Sequence, residues 1–358
     1  MKKKYCIFIP SLGGGGAEKV VALLANFLSR KENTEVFLVI LRSEGMYWEF
    51  IDEKVKIVNL NQNRVLKSVL PLSNWIRLNK PDVVFSALSH VNVAATLAKK
   101  ISRHPCTLII SEHSTISDAL ILNKKLYKFI FSFFYNQADH IIAVSKGVKD
   151  DLSKTLNINS NKISVINNPV YPNVRTNLRV NFNNFFKNKK DKIILSIGRL
   201  EQEKNYINLL KAFNNLENDN LGLVILGEGK ERKLLETYIN DNKLTDKVIL
   251  PGFVKDPFIW INSCDLFVSS SEREGFGNAI VEAMAYGLNI ISTDCVGPRE
   301  ILQDGRYGVL VPRNDPKALS EEIHNLLCNP DRFNKEDILN RARDFSESII
   351  FKSYEKVM

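Results

Sequence analysis

The sequence predicts a doubly wound α/β fold built twice, and three observations carry that expectation. The chain has 358 residues, about twice the commonest domain size. Short, continuous runs of Ile, Val, Leu and Phe recur between helix-length amphipathic stretches, the pattern of parallel strands covered on both faces. The alternation breaks at Asn167-Asn168-Pro169 and restarts with Ile193, so one sheet ends and a second begins there.

The first strand, Tyr5 to Ile9, runs into Ser11-Leu12-Gly13-Gly14-Gly15-Gly16-Ala17-Glu18, which opens a helix with apolar Val20, Val21, Leu24 and Phe27. Glycines such as Gly15 and Gly16 let backbone approach a ligand, and a helix start offers N–H groups to an anion. The dinucleotide fingerprint is not met, and tight-turn packing would use the same glycines. Further strands are predicted at Val36 to Ile40, Val83 to Phe85, Leu108 to Ile110 and Ile141 to Val144. A segment crowded with Asn, Lys and Phe follows. The organisation predicted is a first domain over 1–168, a linker over 169–190, a second domain over 191–343 and a terminal helix over 344–358. Strands of the second domain fall at Ile193 to Ile197, Leu223 to Leu226, Val248 to Leu250, Leu266 to Val268 and Ile290 to Ile291. The terminal helix carries Phe345, Ile349, Ile350 and Tyr354 and needs a surface to cover.

Composition excludes several classes. With 44% apolar and 25% charged residues the chain is neither disordered nor fibrous. The formal charge is +9, and residues 1–170 hold 23 basic against 13 acidic side chains while residues 171–358 hold 26 against 27. Such a field attracts nucleic acid or anionic lipid. No zinc-finger, RRM or KH signature accompanies it, and the balanced second half offers no long basic track, so no nucleic-acid partner is expected. The five cysteines, Cys6, Cys106, Cys264, Cys295 and Cys328, are odd in number and widely spaced, which indicates a reducing compartment rather than a disulfide framework. The apolar stretch after Lys2-Lys3-Lys4 is too short for a signal core, and no run reaches the roughly 18 apolar residues of a spanning helix. A cytoplasmic protein is expected.

The second domain carries the more specific chemistry. Gly198-Arg199-Leu200-Glu201-Gln202-Glu203-Lys204-Asn205 follows its first strand, which puts Arg199 and Lys204 at the C-terminal edge of a parallel sheet, where such folds bind ligands. A guanidinium fork beside an ammonium suits a diphosphate; two solvated cations are the plain alternative. Glu272-Arg273-Glu274-Gly275-Phe276-Gly277-Asn278-Ala279-Ile280-Val281-Glu282-Ala283-Met284 follows the strand at Leu266, with a helix beginning near Gly277. Its carboxylates Glu274 and Glu282 bracket a glycine turn. They suit sugar hydroxyls, and the helix start suits phosphate. Apolar neighbours leave Glu282 little polar helix face.

Together with Gly227-Glu228-Gly229 and Gly297-Pro298-Arg299-Glu300-Ile301, these segments closely resemble family 4 of the retaining glycosyltransferases, of GT-B fold. The Gly13 to Glu18 loop, Ser111-Glu112-His113 and Ala143-Val144-Ser145-Lys146 resemble its N-terminal motifs. The resemblance covers nearly the whole chain. It implies two Rossmann-like domains facing across a cleft, with the terminal helix returning to the first. It further implies that Arg199 and Lys204 hold the donor diphosphate, Glu282 the ribose hydroxyls and Glu274 a sugar hydroxyl. Phe276, Gly277, Asn278 and Ala279 would line the sugar and phosphate, Gly198, Gly227 and Gly229 the nucleotide side, Gly15 and Gly16 would bind the donor from the first domain, and a catalytic His113 would sit near the transferred sugar across the cleft. A structural histidine is the alternative for His113.

The activity so implied is transfer of a hexose or N-acetylhexosamine from a UDP-sugar to a lipid-linked or polysaccharide acceptor, with no cofactor. No Asp-x-Asp sequence occurs, so no divalent cation held by paired aspartates is expected. Asn123-Lys124-Lys125-Leu126-Tyr127-Lys128-Phe129-Ile130-Phe131-Ser132-Phe133-Phe134-Tyr135 joins lysines to aromatics on a predicted helix, as for an anionic membrane interface on the inner face of the cell membrane; a core helix with a wet lysine edge is the alternative. Rival functions are a GT-B sugar-nucleotide epimerase and, from another class, a nucleic-acid-binding protein.

Overall fold

The computed structural model describes residues 2–119, 124–170 and 176–358, without the side chains of residues 118, 119, 124 and 125. The chain divides into two units, Met1–Pro169 with Ser348–Met358, and Val170–Glu347.

The first unit holds β1 (Lys3–Ile9), β2 (Thr34–Ile40), β3 (Lys56–Asn59), β4 (Val83–Ala87), β5 (Thr107–Glu112), β6 (His140–Ala143) and β7 (Ile163–Val165). They form a parallel sheet in the order β3-β2-β1-β4-β5-β6-β7. Parallel neighbours need crossovers, supplied by α1 (Gly16–Ser29), α2 (Val69–Asn79), α3 (Ser89–Ser102), α4 (Ile116–Ala119), α5 (Lys124–Tyr135) and α6 (Lys146–Leu156). The central strand β1 is apolar throughout Cys6 to Ile9 because helices cover both its faces, and each of those side chains is fully buried.

The second unit holds β8 (Lys192–Ile197), β9 (Leu221–Leu226), β10 (Val248–Gly252), β11 (Leu266–Ser269), β12 (Asn289–Thr293) and β13 (Val309–Val311), also parallel, in the order β10-β9-β8-β11-β12-β13. Its helices are α7 (Tyr206–Asn214), α8 (Arg232–Asp241), α9 (Phe258–Ile261), α10 (Asn278–Met284), α11 (Val296–Ile301), α12 (Pro316–Cys328) and α13 (Lys335–Arg343). The chain leaves β8 towards β9 and later returns to lay β11 on its other side. The C-terminal ends of β8 and β11 therefore flank a topological switch point, where open α/β sheets bind ligands.

Two sequence expectations need correction. The sequence assigns 169–190 to a linker, of which 171–175 lie outside the described residues. The rest packs on the second unit: the Val180 N–H donates to Ser263 Oγ at 2.7 Å, and the rings of Phe182 and Phe185 lie 5.9 and 5.2 Å from Trp260. Phe186 is buried, and a Cβ on Gly222 would lie 2.8 Å from its ring. Aromatics in a polar stretch thus found a surface to cover. Of the residues expected to cover a surface, the terminal helix, α14 (Glu347–Glu355), uses Ile350 and Tyr354 in the first unit but not Phe345 and Ile349. Phe345 stays in the second unit, edge-on to Phe276 at 5.3 Å, and Ile349 is 48% exposed. Ile350, Phe351 and Tyr354, the last of which stands four and three residues after the other two and so on the same helix face, enter the first unit's core. There Phe351 stacks on Phe27 at 4.4 Å and Tyr354 meets Phe85 edge-on at 6.3 Å.

Candidate active site

Because the second sheet is parallel, its loops after β8, β9, β11, β12 and β13 share one edge. Gly198 and Arg199 follow β8, Gly227 to Gly229 follow β9, and residues 270–277 follow β11 and lead into α10. Gly227 has φ +145°, and a Cβ there would fall 2.0 Å from the Gly198 carbonyl oxygen. A Cβ on Gly229 would fall 2.3 Å from the Leu200 oxygen. These glycines let two loops touch through backbone: the Gly198 N–H donates to Leu226 O at 3.0 Å and the Leu200 N–H to Glu228 O at 2.9 Å. Gly198, Gly227 and Gly229 therefore have a packing requirement of their own.

Across the switch point the loops are laced together. The Glu272 N–H donates to Glu203 O at 2.8 Å, Ser270 Oγ to Lys204 O at 2.9 Å and Asn205 Nδ2 to Glu272 Oε1 at 3.4 Å. Lys204 Nζ pairs with Glu274 Oε2. Arg199, its side chain 60% exposed, lies 3.3 Å from Glu203 Oε1. Each cation expected to meet phosphate thus already faces a carboxylate. The other flank is tied as well: Thr293 Oγ1 and Cys295 Sγ donate to Ser271 O at 2.5 and 3.2 Å, and Arg313 Nη1 donates to Glu272 O at 3.1 Å. The Gly297 N–H donates to Glu274 O at 3.1 Å, and a Cβ on Gly297 would fall 2.2 Å from Phe276 O.

The turn into α10 places Gly277 at φ +111°, a conformation that L side chains rarely adopt, ahead of Asn278 and Ala279. Phe276 is buried, so its contribution to a ligand is through backbone. Glu282 is only 6% exposed on a helix whose Ile280, Val281, Ala283 and Met284 are buried, so it does not lie on a solvated helix face. A carboxylate held there is costly unless it has polar work.

In the first unit, Gly15 precedes α1 and Gly16 opens it. A Cβ on Gly15 would fall 2.3 Å from Glu18 Oε2, so the acid folds back over the glycine loop. Gly45, which no sequence pattern singles out, sits at φ +129°, and a Cβ there would lie 1.9 Å from Leu12 O; a lone glycine in a polar stretch carries no ligand signal. His113 follows β5, with Nε2 3.1 Å from Ser111 Oγ and Nδ1 buried without a hydrogen-bond partner among the described residues. Burial pushes its pKa down to about 4, so the imidazole is neutral near pH 7. The structure thus gathers Arg199, Lys204, Glu274 and the turn into α10 at one edge of the second unit, and sets Gly15, Gly16 and His113 at the C-terminal edge of the first sheet.

Known proteins match both halves. The family described as Glycosyltransferase Family 4 matches residues 14–174, and that described as Glycosyl transferases group 1 matches residues 179–345. The N-acetylgalactosamine-N,N'-diacetylbacillosaminyl-diphospho-undecaprenol 4-alpha-N-acetylgalactosaminyltransferase of Campylobacter jejuni is 31% identical over 369 residues, covering 99% of this chain and 96% of its own. Among solved structures, HepE of Anabaena in complex with UDP and glucose is 18% identical with a TM-score of 0.83, covering 99% of each chain. The apo lipopolysaccharide outer core galactosyltransferase WaaB is 22% identical with a TM-score of 0.73, covering 99% of this chain and 98% of its own. The two Rossmann-like units have the GT-B architecture, and the chain belongs to glycosyltransferase family 4.

Proposed function

We propose that this glycosyltransferase moves a hexose or N-acetylhexosamine from a UDP-sugar to a hydroxyl of a lipid-linked saccharide, with retention and without a divalent metal, in assembling a surface polysaccharide or lipopolysaccharide. The observation that carries it is the Lys204–Glu274 pair at the switch point, in loops tied on both flanks, with Glu282 buried behind them.

Cleavage of the glycosyl–phosphate bond leaves its electron pair on the diphosphate and an oxocarbenium-like sugar. Lys204 and Arg199 meet the growing charge, which stabilises the transition state more than the ground state. Glu274 holds the Lys204 ammonium in place beforehand and accepts a sugar hydroxyl. Glu282 takes the ribose hydroxyls, the Gly227 to Gly229 loop borders the base, and backbone N–H groups of Phe276, Gly277 and Asn278 contact sugar and phosphate. The acceptor oxygen attacks on the face the leaving group vacates and its proton passes to the departing phosphate oxygen. Retention then needs no protein nucleophile. HepE, which shares the fold, is solved in complex with UDP and glucose, which supports a UDP-sugar donor here.

The first unit, and the diphospho-undecaprenol in the Campylobacter relative's name, support a lipid-linked acceptor. Helices α2, α3 and α5 pack side by side. Residues 61–104 and 124–135, which contain them, hold ten basic side chains and one acidic, Asp82, so nearly all of the first half's positive excess lies there. The same helices and the turn before them expose Leu66, Leu70, Leu78, Tyr127, Phe129 and Phe133, and Lys100 Nζ lies 5.3 Å from the Phe133 ring. The side chains of Lys124 and Lys125 lie outside the described residues. Among those described, no helix is long and apolar enough to cross a membrane. Exposed apolar groups in a basic surface suit peripheral docking on an anionic bilayer, on the inner face of the cell membrane.

The test is to supply α-linked UDP-sugars and a polyprenyl-diphosphate saccharide, with EDTA present, and to read the product's anomeric configuration by NMR. An α-linked product is expected. An inverted product, or activity restored only by Mn²⁺, contradicts the mechanism. Release of an epimerised nucleotide sugar without acceptor supports the rival epimerase.

A further inference from the structure

We infer that Glu112 and Tyr135 are positioning residues for His113, a buried carboxylate and phenol that set the loop carrying the imidazole. The inference rests on the reading that His113 faces the transferred sugar.

Glu112 ends β5 and is buried. Its Oε2 accepts from Tyr135 Oη at 2.5 Å. Its Oε1 accepts from Ser89 Oγ at 3.0 Å, the His113 N–H at 3.1 Å, Ser114 Oγ at 3.2 Å and the Ser114 N–H at 3.4 Å. Five donors converge on one carboxylate, a set that fits its ionised, acceptor-only form. Burial raises the Glu112 pKa, and the hydrogen bonds from Tyr135, Ser89, His113 and Ser114 oppose that rise.

The network reaches further than the turn needs. Tyr135 Oη accepts from Asn92 Nδ2 at 3.2 Å, the same amide donates to Ser111 O at 2.9 Å, and Ser86 Oγ donates to Asn92 Oδ1 at 2.8 Å. Side chains from β4, α3 and α5 therefore meet at the end of β5. Leu88, one residue before Ser89, has φ +80°, where a β-carbon is strained. Strain of this kind survives only where surrounding contacts over-determine it, and it clusters at working sites. A core that needed only packing would place apolar side chains here, since a buried carboxylate is costly and gains nothing for stability over a well-packed isostere.

The purpose is legible at His113. Its backbone N–H and that of Ser114 are both turned towards the carboxylate, which fixes the direction in which the ring leaves the strand. The ring is then held through Nε2 by Ser111 Oγ, while Nδ1 is buried with no hydrogen-bond partner among the described residues. Tyr135 completes the arrangement from the last turn of α5, the helix whose opposite face exposes Phe129 and Phe133.

The experiment is a double-mutant cycle on transfer by the full chain, using Tyr135→Phe, Glu112→Gln, His113→Ala and the two pairs with His113→Ala, each also melted. Tyr135→Phe and Glu112→Gln should lower kcat by about tenfold, within the range for residues of one hydrogen-bond network, with donor KM unchanged. In the His113→Ala background they should cost nothing further. The imidazole resonance that His113→Ala removes should shift in Tyr135→Phe. Equal losses with and without the imidazole, or an unmoved resonance, overturn the positioning role. Wild-type kcat in His113→Ala overturns the underlying reading of His113 itself. Should Glu112→Gln fail to fold, Tyr135→Phe and Ser89→Ala each remove a single hydroxyl from the carboxylate and test the same coupling to His113.

Discussion

The two units share a parallel sheet with crossover helices, yet the second unit's ligand edge and the first unit's α2, α3 and α5 handle charge in opposite ways. In the second, cations come with acids: Lys204 with Glu274, Arg199 with Glu203, Arg299 with Asp294, and Arg232 between Glu228 and Glu236. In the first, α2, α3 and α5 gather basic residues with almost no acid among them and leave apolar side chains in solvent. A small ligand with two phosphates is recognised by a few groups held in place before it arrives. An extended anionic surface needs no such placement, only a field and something to insert. The two solutions also differ in salt sensitivity, because exposed charges are screened within about 10 Å at 0.1 M while groups fixed in a crevice are screened less.

The largest effect that sharpens this contrast is on chemistry. Lys204→Ala should reduce kcat by about 10²- to 10³-fold, the cost of removing one preorganised donor at developing charge, and leave liposome binding untouched. Similar rates in variant and wild type would show that the pair with Glu274 is structural only.

Next in size is the reverse experiment. Replacing Lys67, Lys100 and Lys128 with Ala should weaken co-sedimentation with anionic liposomes by roughly 100-fold, at about 1 kcal/mol for each basic residue, and leave UDP affinity unchanged. Raising salt should do the same to the wild type. Binding that ignores both changes would contradict an electrostatic docking surface, because it leaves the exposed aromatics without a charged partner.

The smallest effect is on stability. Burial holds the His113 pKa at about 4, against 6.5 for a free imidazole. The unfolded chain therefore takes up the proton first as pH falls, so this group's contribution is present above pH 6.5 and is lost as pH falls towards 4. Urea unfolding at about pH 7 and about pH 4.5 should show the stability of wild type relative to His113→Gln moving against the wild type at the lower pH. A constant difference would place His113 in solvent, without the buried Nδ1.

Much of this was legible in the sequence, and what was not has physical causes. The apolar runs mark each central strand, since a strand buried on both faces cannot be polar. The strands missed, β3, β7 and β13, are sheet edges of three or four residues, and β3 is half exposed, so no continuous run announces them. Arg199, Lys204, Glu274 and Glu282 stand out by spacing and residue type, but the approach of Lys204 to Glu274, 70 residues apart, follows only from β11 returning beside β8. Glu112 was visible beside His113 at the end of an apolar run. Its partner Tyr135 lies 23 residues on, inside an aromatic stretch that the sequence leaves open between core and membrane face. The structure divides that stretch: Tyr135 is buried, and Tyr127, Phe129 and Phe133 are exposed.

The proposed function has the second unit hold the nucleotide through Glu282 of α10. Isothermal titration of UDP into wild type and Glu282→Ala, matched for folding by circular dichroism, tests it most directly. Loss of hydrogen bonds to a charged group should weaken binding by about 1.5 to 3 kcal/mol, roughly a 10- to 150-fold rise in Kd. An unchanged Kd in a folded variant would contradict the assignment and return Glu282 to the core.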